Sequence, residues 1–189
     1  MLFLKRNYTT HELIAGCSKG SRKAQELLYK QFAAQMLAVC MRYAVDRPEA
    51  EDMLQIGFVK VFDKIADFRN EGSFEGWVRR IMVHSSIGYY RKHHKMMVVD
   101  MGDVVPQQSV DPSALANLDV KDLMRLIQNL APGYRMVFNL YAIEGYSHKE
   151  IGDIMGITEG ASKSQLSRAR SILKEQVVKL EKRNYEYAG

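Results

Sequence analysis

Apolar residues return every three or four positions along most of this chain, and nowhere do they alternate with polar ones. Leu28, Phe32, Met36, Val39 and Tyr43 form one such series. Leu54, Phe58, Val61, Phe62 and Ile65 form a second, and Phe74, Trp77, Val78, Ile81 and Ser85 a third. Steps of three and four gather side chains on one face of a helix, whereas a half-buried strand needs steps of two. The chain is therefore expected to be all-α. Asp46 and Pro48 mark the start of the second helix, because proline fits a first turn without losing a needed hydrogen bond. The run from Asp67 to Ser73 breaks the period and reads as a loop, with Ser73 as the N-cap of the third helix.

Between Met96 and Leu118 the period disappears. Gly102, Pro106, Pro112 and the polar run Gln107, Gln108, Ser109 fall here, with Asp100, Asp103 and Asp111 and no base. This stretch reads as a flexible acidic linker over 96–118, joining a helical domain at 1–95 to a second at 119–189. Two small domains suit a chain of 189 residues.

Helical spacing resumes beyond the linker. Asp119 and Asp122 open a helix with Leu123, Leu126, Ile127 and Leu130 on its apolar face. Pro132 opens another, carrying Val137, Leu140 and Tyr141, and Gly145 ends it. Ser147 and Glu150 form a capping box, a hydroxyl and a carboxylate that satisfy two orphan amides reciprocally. The short helix behind them carries Ile151, Ile154 and Met155. Gly156 and Ile157 make a turn. Thr158 then caps a last long helix with Leu166, Ala169, Leu173, Val177 and Leu180 inward. A short capped helix, a glycine turn and a longer helix make a helix-turn-helix layout. Such a second helix enters the DNA major groove, and the residues expected to face outward are Ser162, Lys163, Ser164, Ser167, Arg168 and Arg170. An ordinary helical hairpin with a solvated basic face has the same spacing.

Charge is distributed in blocks. Lysine and arginine outnumber aspartate and glutamate by 27 to 22. Arg79, Arg80, Arg91, Lys92 and Lys95 follow Trp77 with no acid among them, whereas seven acids face four bases between Asp46 and Glu71. Blocks of opposite sign suggest several contact surfaces. The third helix sets Trp77, Tyr89 and Tyr90 among its cations, a mixture that can track phosphates and stack unpaired bases. Trp77 itself, spaced with Phe74 and Ile81, reads as core.

Enzymatic chemistry finds little support. No Walker loop, GxGxxG, nucleophile elbow or HExxH occurs. His84, His93 and His94 have no carboxylate or cysteine at ligand spacing, and adjacent His93 and His94 point about 100° apart on a helix. No catalytic residue, metal or cofactor is expected. Cys17 and Cys40 stand alone, which fits a reducing compartment. No apolar run has signal-peptide or membrane-helix length, so a cytoplasmic protein without membrane insertion is expected.

Taken in order, these pieces resemble an extracytoplasmic-function sigma factor of the sigma-70 family. The resemblance covers roughly 24–95 and 119–180. It rests on Leu28 with Tyr29; Ala50, Glu51, Asp52, Gln55 and Phe58; Phe74, Glu75, Gly76, Trp77, Arg80 and Ile81; and Tyr90, Arg91 and Lys92. In the second half it rests on the runs 130–135 and 146–151, with Glu159, Gly160, Lys163, Ser164, Leu166, Ser167, Arg168, Ala169 and Arg170.

The resemblance implies a bacterial transcription initiation factor. Asp52, Gln55 and Phe58 would dock on core RNA polymerase, whose clamp helices and flap are the family's contact points. Phe68, Arg69, Asn70, Arg80, His84, Arg91 and Lys92 would take melted −10 DNA, with a base flipped out into the loop 68–73. Lys163, Ser164, Ser167 and Arg168 would contact double-stranded −35 DNA. The two elements lie roughly two DNA turns apart, which accounts for two domains. The linker would run near the polymerase active centre, and an anti-sigma factor joins the candidate partners. The eleven methionines and the apolar faces suit a sequestering partner or a core equally.

Ile56, His84, Gly88, Ala161 and Ser162 depart from the family's usual residues. A two-domain helix-turn-helix regulator that does not dock on polymerase is the alternative, and it needs neither the Asp52 face nor the loop before Trp77. A helical metal-dependent nuclease is a third reading, without an acidic cluster to support it.

Overall fold

The computed structural model describes residues 8–93 and 120–187, with side chains from 122 to 180 in the second stretch. The linker expected at 96–118, together with His94 and Lys95, lies outside the described residues. Among the described residues every regular element is helical and none is a strand. The chain divides into two compact units, 1–86 and 87–189.

The first unit contains α1 (Thr10–Ser18), α2 (Arg22–Met41), α3 (Arg47–Lys64), a single 3₁₀ turn (Ile65–Asp67) and the first part of α4 (Phe74–His93). Their starts are written in side chains. Thr9 with Glu12 closes a capping box on α1, Ser21 caps α2, and Asp46 caps α3 ahead of Pro48. The three apolar series are the core. Leu28, Phe32, Met36, Val39 and Tyr43 are all buried, as are Leu54, Phe58, Val61 and Ile65. Phe74, Val78 and Ser85 are buried on α4, with Trp77 and Ile81 half-buried beside them. The helix α1, absent from the sequence reading, adds buried Leu13 and Cys17. Both cysteines are free, and burial pushes the Cys40 thiol up to about 11.

The crossing of α3 and α4 depends on a missing side chain. A Cβ on Gly57 would lie 2.2 Å from the sulfur of Met82, which is itself fully buried.

The second unit contains α5 (Val120–Gln128), α6 (Pro132–Phe138), a π turn (Asn139–Ile143), α7 (His148–Met155) and α8 (Glu159–Tyr187). Leu126, Ile127 and Leu130 pack with Ala169, Leu173 and Val177, flanked by Tyr134, Phe138, Ile172 and Leu180. Two expectations are corrected. Leu123 is 37% exposed and Tyr141 lies at the surface. Leu123 is in the first turn of a nine-residue helix, and the π turn adds a residue that rotates Tyr141 off the apolar stripe. Arg135 is buried and donates from Nη1 to the Gln128 carbonyl at 2.7 Å. A cation on the last carbonyl of α5 has the sign that end of the dipole favours.

The two glycine approaches can be tested separately, because Trp77 is the only tryptophan and sits in the first unit. Gly57→Ala should destabilise that unit by about 1–3 kcal/mol, the usual cost of overpacking. It should move the urea transition followed by Trp77 fluorescence. Gly152→Ala would bring a Cβ to 2.8 Å from the Ile157 carbonyl oxygen. It should shift the transition in far-UV circular dichroism and leave the fluorescence midpoint in place.

Candidate nucleic-acid interface

The helix-turn-helix is built from local rules. Ser147 accepts from the Glu150 amide while the Glu150 carboxylate accepts from the Ser147 amide. The helix this opens, α7, stops at Gly156, whose φ of 71° is left-handed. The Gly156 and Ile157 amides both return to the Gly152 carbonyl, at 2.8 and 3.1 Å. Thr158 Oγ1 then accepts from the Ala161 amide at 3.1 Å and starts α8.

On α8 the expected outward set divides. Lys163 is exposed and pairs with Glu159 at 2.6 Å, one turn earlier on the same face. That pairing holds the Glu159 carboxyl below its ordinary range, by hydrogen bond first and then by charge. Ser164, Ser167 and Arg168 are half-buried, and Arg168 Nη1 donates to the Tyr134 hydroxyl at 3.4 Å. Arg170 is exposed. Ser162 is not outward at all, and this corrects the sequence reading: it is 0% exposed. The reason is register. Ser162, Leu166, Ala169, Leu173 and Val177 follow at steps of four, three, four and four, so Ser162 begins the buried stripe.

The buried hydroxyl leads into a ladder of rings. His148 Nδ1 lies 2.9 Å from Ser162 Oγ. The His148 ring stacks on Tyr141, with centroids 4.5 Å apart and planes 21° apart. Arg170 sits over the other ring of the pair, 5.6 Å from the Tyr141 centroid, within cation–π range. Burial first, then the charges of Lys163 and Arg170, push the His148 pKa down against the opposite pull of Glu159.

In the first unit, Asp52 and Gln55 are exposed on α3. Ile56, at 39%, and Val59, at 60%, extend that strip with apolar surface. Phe58 points the other way. It is 3% exposed and packs on Tyr29 and Phe62, with centroids 4.7 and 5.9 Å away. Its place is under the exposed strip, as support.

The loop 68–73 is pinned at one end and open in the middle. Phe68 packs on Phe74 and Trp77 at 5.1 and 5.5 Å, and Ser73 Oγ accepts from the Gly76 amide at 3.0 Å. Between them Arg69 and Asn70 are exposed. Asn70 has φ 58° and Gly72 φ 95°, so the backbone turns twice through the left-handed region. On α4, Arg80 and His84 are exposed. Partial burial, then Arg80 and then Lys60 lower the His84 pKa. Lys60 of α3 therefore adds to this cationic face. The sequence reading missed it because its block of α3 is acidic overall, and only the crossing at Gly57 brings it toward α4. Arg91 and Lys92 are exposed in the last turn of α4.

Comparison with known proteins matches both halves of the chain to one family. Residues 28–96 match Sigma-70 region 2, and residues 121–173 match Sigma-70, region 4. The chain belongs to the sigma-70 family, in its extracytoplasmic-function group. Similar relatives carry that description. The ECF RNA polymerase sigma factor SigE of Mycolicibacterium smegmatis is 28% identical over 158 residues, 80% of this chain and 61% of that protein. The ECF RNA polymerase sigma-E factor of Escherichia coli is 25% identical over 200 residues, 95% of this chain and 100% of that protein. A co-crystal structure of the sigma factor RpoE with the anti-sigma factor NepR from Bartonella quintana aligns at 22% identity and TM-score 0.49. It covers 82% of this chain and 96% of that one.

In this sigma factor the conformation of Asn70 makes a specific prediction. Asparagine enters the left-handed region more readily than other residues with a Cβ, whereas alanine is strained there by roughly 1–2 kcal/mol. Asn70→Ala should lower the urea midpoint followed by Trp77 fluorescence, and Asn70→Gly should not. A loss of promoter melting shared by both variants would then belong to the missing amide.

Proposed function

We propose that the chain is a dissociable transcription initiation factor that binds core RNA polymerase and brings it to promoters through −10 and −35 elements. The observation that carries this reading is the exposed strip Asp52, Gln55, Ile56 and Val59 on α3, present in the same chain as the left-handed loop 68–73 and the cationic helix α4. A regulator that only bound duplex DNA would need α7 and α8 and none of these. Carboxylate and amide groups suit a basic partner helix, and Ile56 with Val59 adds apolar area to the same contact. Sigma factors are non-catalytic transcription factors, and the work here is binding.

The division of labour follows the proposed domains, 1–95 and 119–189, with 96–118 as the acidic connection. Arg69 and Asn70 receive a base turned out of the stack, while Arg80, His84, Lys60, Arg91 and Lys92 neutralise the phosphates of the opened strand. In the second domain Lys163, Ser164, Ser167 and Arg168 face the −35 element. The proposed location is the cytoplasm, and among the described residues no helix is long and apolar enough to cross a membrane.

Competition for core polymerase tests the docking face. Asp52→Lys, mixed with an equal amount of wild type and limiting core enzyme, should be depleted from the purified holoenzyme. Run-off transcription should fall in parallel. Equal recovery of the two chains would remove the docking assignment.

The ion pair on α8 supplies a second test. Glu159 holds Lys163 and places a negative charge at the DNA face. Glu159→Gln should tighten binding to any duplex and steepen its salt dependence, whereas Lys163→Ala should weaken binding and flatten the salt dependence by about one phosphate's worth. Lys163→Ala should also relax sequence preference in a −35 selection experiment.

A further inference from the structure

We propose that Gly88 of α4 is a contact point for the opened DNA strand, where the sugar–phosphate backbone lies directly against the helix because no side chain stands between them. The inference rests on the reading of α4 as the face that takes melted DNA.

Gly88 is the fifteenth of the twenty residues of α4, deep enough in the helix for glycine to weaken it relative to alanine. Nothing inside the chain asks for that loss. Gly20, Gly72, Gly145 and Gly156 have positive φ. Gly16, Gly57 and Gly152 sit where a Cβ would run into Ala24, Met82 or the Ile157 carbonyl. Gly76, Gly133 and Gly160 lie in the first turns of α4, α6 and α8, where a helix has few bonds of its own to lose. Gly88 has none of these reasons. It is helical, and a Cβ built on it would meet nothing within 4 Å. Among the described residues it is the glycine inside a helix that neither backbone conformation nor packing explains.

Its neighbours on the helix surface are cations. Arg80, His84 and Gly88 follow at steps of four, and Arg91 and Lys92 lie three and four residues further on, so the five share one face. All five are exposed, and no acid occurs between Trp77 and His93. Lys60 of α3 acts on His84 together with Arg80 and adds to the charge. Gly88 is therefore a bare gap in a row of groups that suit phosphates. Long cationic side chains at the rim of the gap hold the phosphates on either side, and the missing Cβ lets the strand between them come into van der Waals contact with the helix backbone. A single strand can bend into a gap of that width, whereas a stiff duplex spans it on the side chains at the rim.

The test uses the full chain with a fluorescent single strand of mixed sequence, since a backbone contact needs no particular bases, and with the same strand paired as a duplex. Thermal unfolding is followed by the fluorescence of Trp77, which lies on the same helix. Gly88→Ala should raise the melting temperature by roughly 4–8 °C, because alanine replaces glycine inside a helix. It should nevertheless weaken binding to the single strand by about threefold, and Gly88→Leu, which also forms helix well, by about tenfold, the scale of an overfilled contact. Neither change removes a cation, so the salt dependence should keep its slope, and duplex binding should stay at the wild-type level. Arg80→Ala is the contrast: it should weaken single-strand binding and flatten the salt slope by about 0.7. A glycine with a merely structural role would alter stability and leave binding alone. If Arg80→Ala behaves as expected while both Gly88 variants bind the strand like wild type, the contact is overturned and the reading of α4 stands. A lower melting temperature for Gly88→Ala, or equal losses on strand and duplex, also overturns the contact. If Arg80→Ala matches wild type as well, both fall.

Discussion

A backbone carbonyl pressed against a helix fixes the arrangement of the DNA-reading surface. The Ile157 oxygen lies where a Cβ of residue 152 would stand, at 2.8 Å, and only glycine allows it. That approach lets two amides return to the Gly152 carbonyl and turns the chain through left-handed Gly156. It thereby sets the residue at which α8 begins. Once Thr158 is the cap, the phase of α8 is settled along its length. Lys163 faces water and Ser162 faces the core because they are adjacent on a helix whose start cannot move.

Much of this was legible in the sequence. The caps at Asp46, Ser73, Ser147 and Thr158 are read from single hydroxyls and carboxylates, because a helix start leaves amides that only such groups satisfy. The apolar stripes were legible because burial repeats with the helix period. Ser162 departs from the sequence expectation for a physical reason: its polar side chain suggests exposure, whereas its place at the head of the stripe buries it. The period held and the chemistry misled. Leu123 and Tyr141 depart in the opposite direction: apolar character suggests burial, but a helix end and a π turn leave both at the surface. Lys60 and the ring ladder were illegible because they depend on contacts between elements. Nothing at positions 141, 148, 162 and 170 announces that they meet.

The two candidate surfaces solve different electrostatic problems. On α3 the exposed strip offers carboxylate, amide and aliphatic groups, suited to a protein partner that brings its own cations. Around α4 and on α8 the exposed groups are largely cationic, suited to phosphates. Phe58 separates the two demands within one helix: its buried ring, packed on Tyr29 and Phe62, holds the strip from behind. A residue can therefore matter to an interface it never touches, and burial alone marks the difference.

The long helix has one more consequence. Its reading half and its packing half are a single rod, Glu159–Tyr187, 29 residues or about 44 Å. Val177, seated in the cluster with Leu126 and Leu130, is about 21 Å along that rod from Lys163. Over such a distance a tilt of one degree moves the far end by roughly 0.4 Å, a shift comparable to the width of the hydrogen-bond distance range. The hydrophobic cluster is in effect the bearing of a lever, and its side-chain volumes aim the helix as well as hold it.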